Sequence, residues 1–277
     1  IRSHHSTDRS GSGLDVRSQG FKRMTVFVEI VGKGPNLTML HGWGLSGAVW
    51  DGVRDALSER YTLHLIDLPG HGHSQAAPVT TLDAMVDAIA EVMPARSDLL
   101  GWSIGGQAAL ELARRYPDRV GKLLLVASTP CFLQREDWRD AMSPKALASF
   151  SARLSDDTAA TIKSFLALQV LNQPRMHEAI AMLQAAVASR ATPAPAALAA
   201  GLALLESTDL RVQVPDVSHS SLVMQGDHDA LTPEPAGRWL AENLPNARYA
   251  MIPHAAHAPF LSHRDAFLHE LHTFLAE

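Results

Sequence analysis

Cysteine is almost absent from the 277 residues: Cys131 stands alone. That excludes an intramolecular disulfide and any cysteine-rich metal site, and it makes a reducing, cytoplasmic setting the expectation. Charge is sparse too, at 19% of residues, and Lys plus Arg (24) fall short of Asp plus Glu (29). A nucleic-acid binder usually carries a basic surplus, so the balance argues against that class. No long apolar run appears. The Ala/Leu-rich stretch 179–205 is broken by Gln184, Arg190, Pro193 and Pro195, so no membrane span is expected. Residues 1–23 are polar, Gly/Ser-rich and lack the apolar centre of a secretory signal; they read as a disordered tag remnant running up to Met24. Internal repeats are missing as well.

What remains is an ordinary globular composition, 46% hydrophobic, long enough for one large domain or a domain with an inserted subdomain. Short apolar runs at 37–40, 63–67, 98–101, 123–127, 222–225 and 248–252 read as strands. Helical patterns fall between them at 82–93, 106–116, 235–243 and 264–275. Apolar strands without strict alternation, separated by helices, predict a mostly parallel α/β sheet covered on both faces. Such sheets carry their functional loops at the carboxyl ends of the strands. From 131 to 206 the alternation stops and four helical patterns follow one another (143–154, 157–171, 176–189, 196–206). That run predicts a helical cap inserted into the core, with hinges at 128–130 and 214–215.

The most specific local signal is Gly101-Trp102-Ser103-Ile104-Gly105-Gly106, a G-x-S-x-G that follows an apolar strand and opens a helix. In that context the serine sits on a sharp strand-to-helix turn with its hydroxyl exposed near the positive end of the helix. The bland alternative is a glycine-rich turn with a buried serine. A serine hydroxyl needs a base to take its proton, and the chain order for this architecture is serine, acid, histidine. Two strand ends downstream supply candidates: Asp227 or Asp229 after the first, His254 or His257 after the second. Order and position admit either member of each pair. Upstream, His41-Gly42-Trp43-Gly44 follows the first predicted strand. Acyl transfer needs two N–H donors at the oxyanion, and these fall to Ile104 and, by position, Trp43. The Trp43 ring either walls an acyl pocket or packs in the core. The loop Asp67-Leu-Pro-Gly-His-Gly-His-Ser74 lacks both a metal-ligand set and a G-K-[ST] phosphate signature, so it reads as a structural turn.

Taken together, H-G-W-G, D-L-P-G-H-G-x-S, G-W-S-x-G-G and the final H-A-P-F resemble the α/β-hydrolase superfamily over essentially residues 24–277. The resemblance implies a core of 24–130 and 207–277 with a cap of 131–206. The superfamily's dehalogenases and epoxide hydrolases carry aspartate where this chain has Ser103, which disfavours those chemistries. A closer likeness runs through 41–45, 63–70, 101–103, 126–132, 165–169 and 255–260, which are similar to the pimeloyl-[acyl-carrier protein] methyl ester esterases. That resemblance implies Asp229 as the acid, His257 as the base, and an ester site at Trp43, Ser103, Ile104 and the cap segment Phe165, Leu166, Ala167, Leu168 and Gln169. It further implies a serine carboxylesterase that works without metal or cofactor on a substrate presented by an acyl-carrier protein; a monomer is expected. In one respect the chain departs from the family's pattern of cap arginines. Residues 131–206 hold seven Lys/Arg and seven Asp/Glu, with neutral Ala160 and Ser164 at matching positions and Arg153, Lys163 and Arg175 still present. The alternatives are a short-chain carboxylesterase without a carrier, a carbon–carbon bond hydrolase, and a hydrolase-fold ligand receptor.

Overall fold

The computed structural model describes residues 26–74, 79–173 and 175–277; the expected tag remnant lies outside them. Among the described residues one sheet runs through β1 (Val28–Gly32), β2 (Asn36–Leu40), β3 (Thr62–Ile66), β4 (Ser97–Trp102), β5 (Val120–Val126), β6 (Ser221–Gly226) and β7 (Ala247–Ile252), in the order β1-β3-β2-β4-β5-β6-β7. All pairings are parallel except that of β1 with β3. Along β4 and β5 successive side chains enter opposite cores. Leu99, Leu123 and Leu125 join one buried cluster, while Leu100, Leu124 and Val126 join the other. Burial on both sides is why these strands read as continuous apolar runs.

Helices α2 (Leu82–Val92), α3 (Ile104–Arg115) and α8 (Glu234–Asn243) cover the first cluster. Helices α1 (Asp51–Ser58) and α10 (Arg264–Ala276) cover the second, joined by the single turn α9 (Pro259–Ser262). Two of these elements are not announced by the sequence. Strand β1 is an edge strand with alternating exposure, and α1 is only eight residues long with two fully buried positions, Val53 and Leu57.

Between β5 and β6 the chain rises into α4 (Pro144–Asp156), α5 (Thr158–Gln169), α6 (Met176–Ala188) and α7 (Pro195–Ser207). The boundary between the first two is set by Asp157, whose extended backbone stops α4 and whose Oδ1 accepts the Ala160 N–H at 3.0 Å to start α5. The first dozen residues of the insertion are not helical. Residues 131–142 form a bridged loop, with Cys131 opposite Asp209 and Leu133 opposite Met142. Its Trp138 packs edge-on against Trp239 of α8, with centroids 5.3 Å apart, so this part of the insertion rests on the core. Among the described residues no helix is long and apolar enough to cross a membrane.

Candidate active site

Ser103 lies between the last residue of β4 and the first of α3, at φ 59° and ψ −122°. A non-glycine residue at positive φ costs about 1–3 kcal/mol and persists only where its surroundings enforce it. The surroundings here are tight. A Cβ on Gly101 would stand 2.3 Å from the Gly105 carbonyl, and one on Gly105 would stand 2.5 Å from the Leu40 carbonyl. Glycines on both sides of the serine thus let β4, α3 and β2 close on one another. The Ser103 N–H donates to the Val126 carbonyl at 3.1 Å, which fixes the turn to β5. Ile104 opens the twelve-residue α3, so its N–H has no acceptor within the helix and points with the positive end of the helix dipole.

The turn after β6 carries Asp229 inward. Its carboxylate is fully buried and accepts four hydrogen bonds besides the one from histidine: Leu231 N–H and Thr232 N–H on Oδ1, both at 2.9 Å, and Thr232 Oγ1–H (2.7 Å) and Gln225 Nε2–H (3.0 Å) on Oδ2. His257, 2% exposed, donates from Nδ1 to Asp229 Oδ2 at 2.8 Å, which leaves Nε2 with its lone pair free to act as a base. The carbonyl of His257 accepts the Trp102 indole N–H at 2.8 Å, and the Trp102 ring in turn packs against Trp50 and Phe260. The rival residues go elsewhere: Asp227 and His254 are exposed and gather with His228 on the outer surface.

Trp43 is buried in the core, 2% exposed, and its ring also borders the space above Ser103. Its indole N–H donates to the Leu198 carbonyl of α7 at 2.9 Å, and its ring meets Phe150 of α4 and Phe165 of α5 edge-on at 5.5 and 5.1 Å. Gly201 makes room for it, since a Cβ there would stand 2.6 Å from Trp43 Cδ1. Beneath the same loop, buried His41 accepts the Leu68 N–H at Nε2 (2.9 Å) and donates from Nδ1 to the Gly42 carbonyl (2.7 Å). Burial first, then neighbouring His71, pushes the His41 imidazole down to about 3, so it stays neutral. The loop from Asp67 is a structural turn: Oδ1 accepts the Gly47 N–H at 2.7 Å and Oδ2 the His73 N–H at 2.8 Å.

Ser103 and His257 open together into a cavity of about 150 Å³. Its walls are apolar, with Trp43, Phe150, Phe165, Leu168 and Leu202 among them, and among the described residues Arg153 is the one charged side chain of its lining. The cap segment expected to hold an acyl group divides. Phe165 and Leu168 face the cavity, whereas Leu166 packs into the buried cluster with Val170 and Leu183. Ala167 is half-buried and not part of the cavity wall. Gln169 is buried, and its backbone carbonyl accepts the Ala258 N–H at 3.2 Å, beside His257. The division follows helix geometry, because residues 165 and 168 share a face that 166 and 167 do not. Sequence reasoning missed Gln225, Thr232 and Trp102 as the residues that hold Asp229 and His257. Thr232-Pro233, ahead of a helix start, was the visible sign of an ordered turn. Gln225 carries no comparable sign, because it reads as the last residue of a strand.

The sequence profile of the α/β-hydrolase family matches residues 39–270. The chain is 43% identical over 244 residues, 88% of its length and 97% of the relative's, to the pimeloyl-[acyl-carrier protein] methyl ester esterase of Nitrosomonas europaea. It is 41% identical to the protein of that name from Aeromonas hydrophila, over 91% of this chain and all of that one. Among solved structures, an esterase from Exiguobacterium antarcticum superposes with a TM-score of 0.84 at 23% identity, covering 91% of this chain and 96% of that one. An enol-lactonase from Burkholderia xenovorans gives 0.80 at 23%, with the same coverage. These two likenesses concern the fold alone. The chain belongs to the α/β-hydrolase family and, within it, to the family of the pimeloyl-[acyl-carrier protein] methyl ester esterases.

Proposed function

We propose that the chain is a serine carboxylesterase that hydrolyses pimeloyl-[acyl-carrier protein] methyl ester, releasing methanol. The observation that carries this reading is the buried Asp229–His257 pair, bonded at 2.8 Å and opening with Ser103 into one apolar cavity. Ser103 Oγ attacks the ester carbonyl carbon while its proton passes to His257 Nε2, and Asp229 holds the imidazole and stabilises the imidazolium. The N–H groups of Trp43 and Ile104 receive the oxyanion. When the intermediate collapses, the C–OCH3 bond breaks and His257 returns the proton to the leaving methoxide. A water that gives its proton to His257 then attacks the acyl-serine, and the acid leaves as Ser103 regains its proton. No metal or cofactor takes part in these steps. Phe165 and Leu168 flank the chain, and the rest of the substrate extends past Arg153. The names of the relatives support the substrate.

Hydrolysis of methyl pimeloyl-carrier protein, compared with p-nitrophenyl esters of rising chain length, tests the reading. A carrier-bound ester turned over with the higher kcat/KM supports it. The even charge balance of 131–206 favours one alternative, a carboxylesterase of short acyl esters that needs no carrier. Equal kcat/KM for the carrier-bound and free methyl esters would select it.

A further inference from the structure

We infer that the surface behind the Asp229–His257 pair holds a binding site for a first-row divalent cation, best matched by zinc, formed by Asp227, His228 and His254. The two turns that follow β6 and β7 lie side by side: the His228 N–H donates to the Ala255 carbonyl at 3.0 Å. Each turn buries one member of the Asp229–His257 pair and leaves other residues exposed. Asp229 and His257 are buried, whereas Asp227, His228 and His254 are exposed and converge on the opposite side of the same backbone. A carboxylate oxygen and two ring nitrogens, one from each residue, lie within 4.8 Å of one another, and the two imidazole centroids are 5.4 Å apart.

The donor set decides the class of ion. Two imidazoles and one carboxylate suit zinc and its neighbours, whereas magnesium and calcium take oxygen ligands. Zinc bonds nitrogen and oxygen at about 2.0–2.2 Å, so tetrahedral ligand atoms sit roughly 3.3 Å apart. The three side chains are exposed, so rotation about their own bonds is the movement that would bring the ligand atoms to that spacing. Three protein ligands leave the fourth position to water. Because two ligands come from the turn after β6 and one from the turn after β7, a bound ion would clamp from outside the two turns that hold Asp229 and His257. Its role is structural, and the chemistry proposed above does not pass through it.

The test is a zinc titration of the full chain carrying His4→Ser and His5→Ser, which removes the adjacent histidines near its start. Calorimetry should give one equivalent bound. The melting temperature should rise by roughly 5 °C at a hundredfold excess over Kd, and magnesium should leave it unchanged. Asp227→Asn and His254→Asn should each weaken zinc binding at least tenfold. Asparagine is chosen at 254 because that residue sits at φ 62°, a left-handed conformation that asparagine tolerates. Metal-free melting temperatures within about 2 °C of the parent show that the variants fold. Saturable binding lost in both variants supports the site. Absent saturation, or binding undiminished in either variant, would overturn it.

Discussion

The turns at the carboxyl edge of the sheet and the cap above them are built on different physics. The Asp229 carboxylate is held by five directed hydrogen bonds between 2.7 and 3.0 Å, made with backbone N–H groups and with side chains that are themselves buried. The cap is held instead by apolar packing of Ala and Leu on α4 to α7, with a few polar ties down to the core. Among them are the Trp43 indole bonded to Leu198, the Gln169 carbonyl accepting the Ala258 N–H, and Arg190, whose Nη1 pairs with buried Asp67 Oδ2 at 3.0 Å while Nη2 pairs with Glu29. Directed bonds hold a reacting group to within a few tenths of an ångström, which catalysis needs. Apolar packing sets the shape of a pocket but leaves its fine geometry adjustable, which suits selection among acyl chains. The division of labour therefore makes a claim: lesions in the turns should change kcat, and lesions in the cap should change stability and KM.

The largest expected effect tests the turn side. Ser103→Ala should lower kcat by on the order of 10⁶ with an unchanged circular dichroism spectrum, since it removes the proposed nucleophile and keeps the fold. Next comes the proposed acid. Asp229→Asn should cost up to roughly 10⁴ in kcat by releasing the histidine tautomer, while Asp227→Asn should change kcat less than threefold. Steady-state kinetics on a p-nitrophenyl ester reads both, and the reverse pattern would place the catalytic carboxylate two residues earlier.

The cap side should respond differently. Arg190 is 7% exposed at its side chain and Asp67 is fully buried, so Arg190→Met leaves a carboxylate uncompensated. Breaking a buried pair in this way costs about 3–5 kcal/mol, to be read as a lowered denaturation midpoint, while kcat on a small ester should stay within a few fold. The smallest effect belongs to Phe165→Ala. It should raise KM for long acyl esters by an amount worth about 1–3 kcal/mol and spare the acetate ester. A uniform loss across chain lengths together with a lower melting temperature would mean that the ring matters for packing alone.

The same contrast explains what was legible in the sequence. Ser103, Asp229 and His257 stand at strand ends, and the glycines and apolar runs around them are local features whose geometric meaning travels with the sequence. Even so, the residues alone left Asp227 beside Asp229 and His254 beside His257. The members of each pair differ only in which way a turn points, and that is decided by Leu231, Thr232 and Gln225 bonding one carboxylate and not the other. In the cap, four helices were readable from their period, but not which face each buries. Leu166 and Leu168 are chemically alike and two residues apart, yet one enters the core and the other the cavity, a choice made by neighbours distant in sequence. Strand β1 was invisible for a related reason, because its place beside β3 is fixed by pairing across some thirty residues and its edge position leaves only weak alternation. The tie from Arg190 to Asp67 spans 123 residues and has no local sign at all.

The account depends most on Ser103 being a nucleophile activated through the Asp229–His257 pair, and covalent trapping addresses that most directly. Treatment with a fluorophosphonate, followed by digestion and mass spectrometry, should place one adduct on the peptide containing Ser103. The labelling rate should fall by at least a hundredfold in His257→Ala, because the hydroxyl then keeps its proton. An adduct on another residue, or labelling of Ser103 at an undiminished rate without His257, would contradict the account.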